Sequence, residues 1–227
     1  MTEPPNRPTG RVALLLGATG LVGSHCLDLL LAEPSYSTVR LLGRRAIARD
    51  HSKLEQHVLD FDRFDEHPEL FDVDEVFCCL GTTIRKAGSQ EAFHRVDVEY
   101  PVAAARLAAE AGADQFLVVS ALGADPDSRV FYNRSKGEME SLVRRMPLQA
   151  VWVLRPALLL GEREEVRLGE QVAELLMRPL TRLMRGRFRR YRPIEASTVA
   201  AAMVRVALDV GTGGILESEE IAAIGAP

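Results

Sequence analysis

The chain has 227 residues, of which 47% are hydrophobic and 26% charged, and its formal net charge is −4. This is an ordinary globular composition, which excludes collagen-like, coiled-coil and wholly disordered chains. A balance so near neutrality provides no broad electrostatic footprint for nucleic acid, so nucleic-acid binding is not expected.

Residues 1–10 contain Pro4, Pro5 and Pro8 and no apolar centre, and they read as a disordered tail, not a signal peptide. Residues 11–227 then read as a single domain, with a core over 11–156 and a C-terminal segment over 157–227. No apolar run approaches the roughly 20 residues of a membrane span. The three cysteines, Cys26, Cys78 and Cys79, are too few for a disulfide framework. No Cys/His cluster has the spacing of a metal site. The expectation is a soluble cytoplasmic protein without metal or membrane.

In chain order, Val12–Leu16 is a five-residue apolar run. Leu21–Leu31 follows with helical spacing. Val39–Leu42 is a second run, Val58 and Leu59 a weaker third, and Val76–Leu80 a fourth. Ala92–Ala111 predicts one long helix, with Pro101 at a first turn or kink. Phe116–Val119 is a fifth strand, Phe131–Arg145 a helix, and Val151–Leu154 a sixth strand. Leu168–Met184 and Ser197–Leu208 predict further helices, the second with Ser197 as its N-cap. Strands that alternate with helices imply βαβ units. The fold class is therefore α/β: a doubly wound, Rossmann-like parallel sheet with a small C-terminal helical elaboration. Strands buried on both faces account for continuous apolar runs in place of alternation.

The stretch Gly17-Ala18-Thr19-Gly20-Leu21-Val22-Gly23 leaves the first strand and opens a helix. A pyrophosphate must approach such a backbone closely, and a Cβ would block it. The free N–H groups of the helix then face the anion. Gly17, Thr19, Gly20, Leu21, Val22 and Gly23 are the candidate phosphate-binding residues. The second strand ends Leu42-Gly43-Arg44-Arg45. An acidic residue there would suit the ribose hydroxyl of NAD, whereas Arg44 and Arg45 suit a 2′-phosphate. NADP(H) is therefore expected over NAD(H). Asp60 and Phe61 are candidates for the adenine, and Leu80, Gly81 and Thr82 lie at the carboxyl edge of the sheet, where ligands bind.

Tyr132 and Lys136 are four residues apart and share one helix face. A cation beside a phenol favours phenolate and lowers a pKa that starts near 10. Such a pair suits a general acid handing a proton to a carbonyl oxygen. Only Lys53, Lys86 and Lys136 are lysines among the 28 basic residues, so a lysine at this position stands out.

On these residues the chain resembles the short-chain dehydrogenases/reductases, in their atypical branch, and most of all the Tat-interacting-protein-like oxidoreductases. The matching pieces are Gly17–Gly23, Leu42–Arg45, Phe77-Cys78-Cys79-Leu80-Gly81-Thr82-Thr83, Ser120–Asp125, Tyr132–Lys136, and Leu154-Arg155-Pro156 followed by Gly161. The resemblance implies an oxidoreductase acting on a small carbonyl or alcohol. Tyr132 would be its proton donor, and Lys136 would hold the nicotinamide ribose. Pro156 would help frame the nicotinamide. The family's catalytic serine falls at Ala121, which leaves Ser120 as the hydroxyl to polarise the carbonyl. Relatives of this branch include cofactor-binding regulators, so a scaffold with little turnover is the second reading. A nucleotide-sugar epimerase or dehydratase is the third. A homodimer or a protein partner stays open. Arg182, Arg185, Arg187, Arg189, Arg190 and Arg192 form a basic cluster that reads as a solvated loop, with an anion-binding lid as the functional alternative.

Overall fold

The computed structural model describes residues 10–160, 190–209 and 211–226. The expected tail over residues 1–9, the helix predicted at Leu168–Met184 and the arginines from 182 to 189 lie outside them. The apolar runs become β1 (Arg11–Leu16), β2 (Tyr36–Gly43), β3 (Leu54–Val58), β4 (Glu75–Cys78), β5 (Gln115–Val119) and β6 (Ala150–Arg155). Two short strands, β7 (Leu159–Leu160) and β8 (Ile194–Glu195), pair with each other, and β9 (Gly214–Glu217) completes the main sheet.

The seven-stranded sheet has the order β3-β2-β1-β4-β5-β6-β9, and every pair is parallel. The chain winds from β1 outward to β3, then returns to the other side of β1 as β4. The strand order therefore reverses between β1 and β4, the crevice where ligands of open α/β sheets bind. Val12–Leu16 is buried throughout, as an interior parallel strand requires. β3 is a partly exposed edge strand that carries Glu55, Gln56 and His57, which explains its weak sequence signal.

Helices cover both faces. One face holds α1 (Leu21–Ala32), with α6 (Ala196–Leu208) and α7 (Ser218–Gly225), and is sealed by Cys26, Leu30, Val199, Met203 and Ile221. The short α2 (Ile84–Ala87) and α3 (Gln90–His94) follow β4 in the chain. The other face holds α4 (Tyr100–Ala111) and α5 (Phe131–Val143), with Phe64, Phe71, Ala104, Phe116 and Met139 buried beneath them. Each fully buried Phe or Met side chain among them contributes about 1.5–3 kcal/mol.

The long helix predicted over 92–111 is interrupted. Arg95–Glu99 form a widened π turn between α3 and α4. Pro101 has no N–H to give the Asp97 carbonyl, and its ring crowds that carbonyl; the wider turn relieves both. Ser197 is not an N-cap. It lies inside the first turn of α6, and Glu195 occupies the cap position without a side-chain hydrogen bond.

The amino edge of the sheet holds a buried polar cluster around Glu75. Tyr36 donates its hydroxyl to Glu75, Arg11 pairs with it, and Gln115 Nε2 donates to its Oε1 at 3.1 Å. Burial pushes the Glu75 carboxyl up to about 7, against the opposing hydrogen bond from Tyr36 and the charge of Arg11.

Candidate active site

The turn after β1 is shaped by contacts that only glycine allows. Gly17 has φ +84°, and a Cβ there would lie 2.5 Å from the carbonyl oxygen of Cys79. The ends of β1 and β4 are thus pressed together at the point where the strand order reverses. A Cβ on Gly23 would lie 2.1 Å from the Gly17 oxygen, so α1 seats directly on the turn. Gly20 is the N-cap of α1, no side chain caps that helix, and Thr19 and Gly20 are exposed. Leu21 is half-buried, while Val22 and Gly23 are buried. Uncapped first-turn N–H groups behind a bare backbone fit a pyrophosphate.

Arg44 and Arg45 follow β2 at the same edge and are both exposed. Asp60 is exposed, and its carboxylate accepts a hydrogen bond from the Asp62 N–H at 3.1 Å. Phe61 is committed to the core, with its ring centroid 4.8 Å from that of Phe64. The two candidates for the adenine are therefore unlike in access.

After β4, Leu80-Gly81-Thr82 crosses above a buried ion pair. Lys136 Nζ lies 2.7 Å from Asp97 Oδ1, with relative exposures of 4% and 1% for the two residues. The Thr82 N–H donates to the other carboxylate oxygen of Asp97 at 2.8 Å. A Cβ on Gly81 would meet Asp97 Oδ1 at 3.5 Å and Lys136 Nζ at 4.0 Å. Asp97 thus joins the turn after β4, the π turn and α5. Burial opposes the Lys136 charge, but Asp97, together with Tyr132 and Cys78, outweighs it and the lysine pKa lies above its ordinary value.

Tyr132 lies one turn before Lys136 on α5, half-buried, with its ring 5.7 Å from that of Phe93. Here the electrostatics differ from the sequence expectation. Lys136 does lower the phenol pKa, but burial raises it more and Asp97 adds to the rise, so the net shift is upward. Without a further positive charge nearby, the phenol keeps its proton.

Ser120 is placed differently from a carbonyl-polarising hydroxyl. It is buried and donates to Glu140 Oε1 at 2.5 Å. Glu140 also receives Arg155 Nε at 3.0 Å and one of its terminal nitrogens at 2.6 Å, and another arginine nitrogen reaches Glu217 at 3.1 Å. Ala121 brings no hydroxyl. Pro156 is buried at the end of β6, where its carbonyl accepts the Leu122 N–H at 3.0 Å. Of the basic cluster, Arg190 lies 4.9 Å above the Tyr191 ring.

Asp97 and Glu140 are the residues that sequence reasoning missed. Each had a signal. Asp97 sits four residues after Phe93 and four before Pro101, on the buried stripe of its helix. Glu140 continues the four-residue spacing of Tyr132 and Lys136 on the buried side of α5. A carboxylate on such a face needs a partner.

The cysteines are free, and burial pushes the Cys78 thiol up to about 12. Among the described residues no helix is long and apolar enough to cross a membrane, and no His, Cys, Asp and Glu side chains cluster as a metal site.

Residues 13–195 match the model of the NAD dependent epimerase/dehydratase family. The chain is 35% identical over 217 residues to Protein HTATIP2 of Rattus norvegicus, covering 93% of this chain and 88% of that protein. It is also 35% identical over 217 residues to Protein FMP52, mitochondrial, of Eremothecium gossypii, covering 92% and 95%. Among solved structures it resembles MoeE5 in complex with UDP-glucuronic acid and NAD, with a TM-score of 0.67, 18% identity, and coverage of 96% and 81%. That likeness establishes the fold. The expectation of a cytoplasmic protein is corrected here, because the fungal relatives are named mitochondrial. Three cysteines without a disulfide framework do not single out the cytoplasm.

Proposed function

The chain belongs to the NAD dependent epimerase/dehydratase family, and from that premise we propose that it is an NADPH-dependent reductase of a small carbonyl compound, with Tyr132 as proton donor. The observation that carries this reading is the buried Lys136–Asp97 pair beneath Gly81, one helical turn from Tyr132. The glycine turn offers bare backbone to a pyrophosphate, and Arg44 and Arg45 offer two forked cations to a 2′-phosphate.

Bound NADPH supplies the hydride. The protein's part is to hold and move a proton. Tyr132 stays protonated because burial and Asp97 raise its pKa, which suits a group that must donate. Lys136 is kept charged by Asp97 and steadies the phenolate that forms when the proton leaves. Gly81 and Thr82 pass over this pair and leave the ammonium next to backbone that a ribose can approach.

Tyr132→Phe should lower kcat at least a hundredfold and leave the thermal shift produced by NADPH intact. Unchanged turnover would remove Tyr132 from the mechanism. NADPH should raise the thermal midpoint more than NADH at equal concentration, and Arg44→Ala with Arg45→Ala should erase the difference. Equal shifts in the unaltered protein would remove the role given to the arginines.

A second reading is an NADPH-binding regulator with little turnover. Ser120 favours it, since its hydroxyl is held by Glu140 and Ala121 replaces the family's serine. Nucleotide-sugar chemistry lacks a comparable observation in this chain.

A further inference from the structure

His94, at the end of α3, meets a carboxylate at each of its ring nitrogens. Nδ1 lies 3.2 Å from Oε1 of Glu99, in the π turn, and Nε2 lies 3.1 Å from Oε2 of Glu138, on α5. A carboxylate only accepts hydrogen bonds. A neutral imidazole donates from one nitrogen and presents a lone pair at the other, so imidazolium alone satisfies both contacts. One side chain then bridges two segments, and it needs its charge to do so.

The bridge stands beside Tyr132. Phe93, the residue before His94, is fully buried, and its ring lies 5.6 Å from that of Phe131 and 5.7 Å from that of Tyr132. Asp97, inside the same π turn, pairs with Lys136, and Glu138 follows that lysine on α5. The segment from α3 through the π turn is therefore tied to α5 twice, by the buried Lys136–Asp97 pair and by the half-exposed His94 bridge. Burial opposes the His94 charge, but the bonds to Glu99 and Glu138 outweigh it and its pKa lies above the ordinary value of 6.5. Other charges surround the ring. Glu91 and Arg95 line the cavity beside it, Arg134 of α5 stands 5.8 Å from the Phe131 ring centre, and α2, which packs on α3, brings Arg85 and Lys86. None of these is a histidine, so His94 is the group of this corner whose charge changes near neutral pH.

We infer that His94 is a positioning residue, which as imidazolium clamps α3 and the π turn against α5 and so holds the Phe93 ring against Tyr132. The chemistry given to Tyr132 rests on the reductase reading above; the clamp does not. The bridge is complete below about pH 6.5 and is lost as pH rises through the pKa of the folded state. Loss of the proton turns a lone pair toward one carboxylate, and that tie opens.

The test follows the Tyr132 ring by NMR in protein carrying 13C-labelled tyrosine, from pH 5.5 to 9, without cofactor or substrate. Tyr132→Phe assigns the tyrosine signal and His94→Gln the imidazole signal. We expect the Tyr132 signal to shift with the midpoint of the His94 titration, above 6.5. A Tyr132 signal that stays still while His94 titrates, or a His94 midpoint below 6.5, would overturn the inference. Glu99→Gln supplies a second test. Its amide can donate to a neutral imidazole whose other nitrogen still donates to Glu138, so the bridge survives loss of the proton. The His94 midpoint should fall in this variant, and the Tyr132 signal should hold its low-pH position to pH 9. A Tyr132 titration like that of the unaltered protein counts against the inference. Failure of the reductase reading shows elsewhere, as turnover that survives Tyr132→Phe.

Discussion

Lys136 faces two groups with opposite demands. Asp97 holds its charge in place, and Tyr132 receives only what that pairing leaves over. Asp97→Asn should act on both neighbours in one direction. The phenol loses a nearby negative charge, so its pKa falls; the lysine loses its counter-charge, so its pKa falls too. A proton donor must be protonated and its lysine charged, so the basic limb of the kcat/KM profile should move to lower pH. A limb that does not move would reduce Asp97 to a structural role. The Tyr/Lys pair was legible as a spacing, and its electrostatics were not. Spacing places Lys136 beside Tyr132 but says nothing of a carboxylate thirty-nine residues earlier in the chain that neutralises it. The upward shift of Tyr132 is a property of burial, which no local pattern in the sequence contains.

At the scale of elements, α5 works as a polar rod inside an apolar layer. Tyr132, Lys136 and Glu140 follow one another by four residues, and Glu140 links α5 to β5 through Ser120 and to β6 through Arg155. Arg155 in turn reaches Glu217 at the end of β9. Arg155→Met should destabilise the fold by about 3–5 kcal/mol, because it strands the Glu140 carboxylate in a buried position. Chemical denaturation measures this, and a loss below about 1 kcal/mol would show that the network contributes little. Strands β1, β2, β4, β5 and β6 were readable because interior parallel strands must be apolar on both faces. β9 was not, since its four residues, Gly214-Ile215-Leu216-Glu217, form an edge strand too short to carry a pattern. β7 and β8 are two residues each and exist only through pairing with one another.

Over the whole molecule, the sheet separates two titrating centres. The Glu75 cluster sits at the amino edge, and the Tyr132–Lys136–Asp97 group at the carboxyl edge. Glu75 titrates near 7 in the folded chain and near 4.5 when unfolded. Below about pH 4.5 both states hold the proton. As pH rises from there toward 7, the unfolded chain releases it first, so this group's contribution to stability falls, and it is level above 7. The loss is on the order of 3 kcal/mol. Urea midpoints at pH 5 and pH 7.5 should therefore differ less for Glu75→Gln than for the unaltered protein. Equal differences would contradict the raised pKa. Two centres on opposite edges also allow stability and activity profiles to be measured as separate curves.

The π turn at Arg95–Glu99 has a consequence for sequences of other lengths. Each residue of an α-helix advances about 100° around the axis, and a widened turn accommodates one residue more than that advance allows. The surplus sets the angle between two helical segments that answer to different neighbours: α4 to the sheet through Ala104 and Ala108, and the turn itself to Lys136 through Asp97. A chain shortened by one residue here can keep the phase of one segment only. It would retain the packing of α4 and swing the carboxylate away from the ammonium, or hold the carboxylate and rotate the alanines off the sheet. Residue count across this short stretch is therefore a phase setting for the site, and a single-residue deletion should be harsher than any substitution within it.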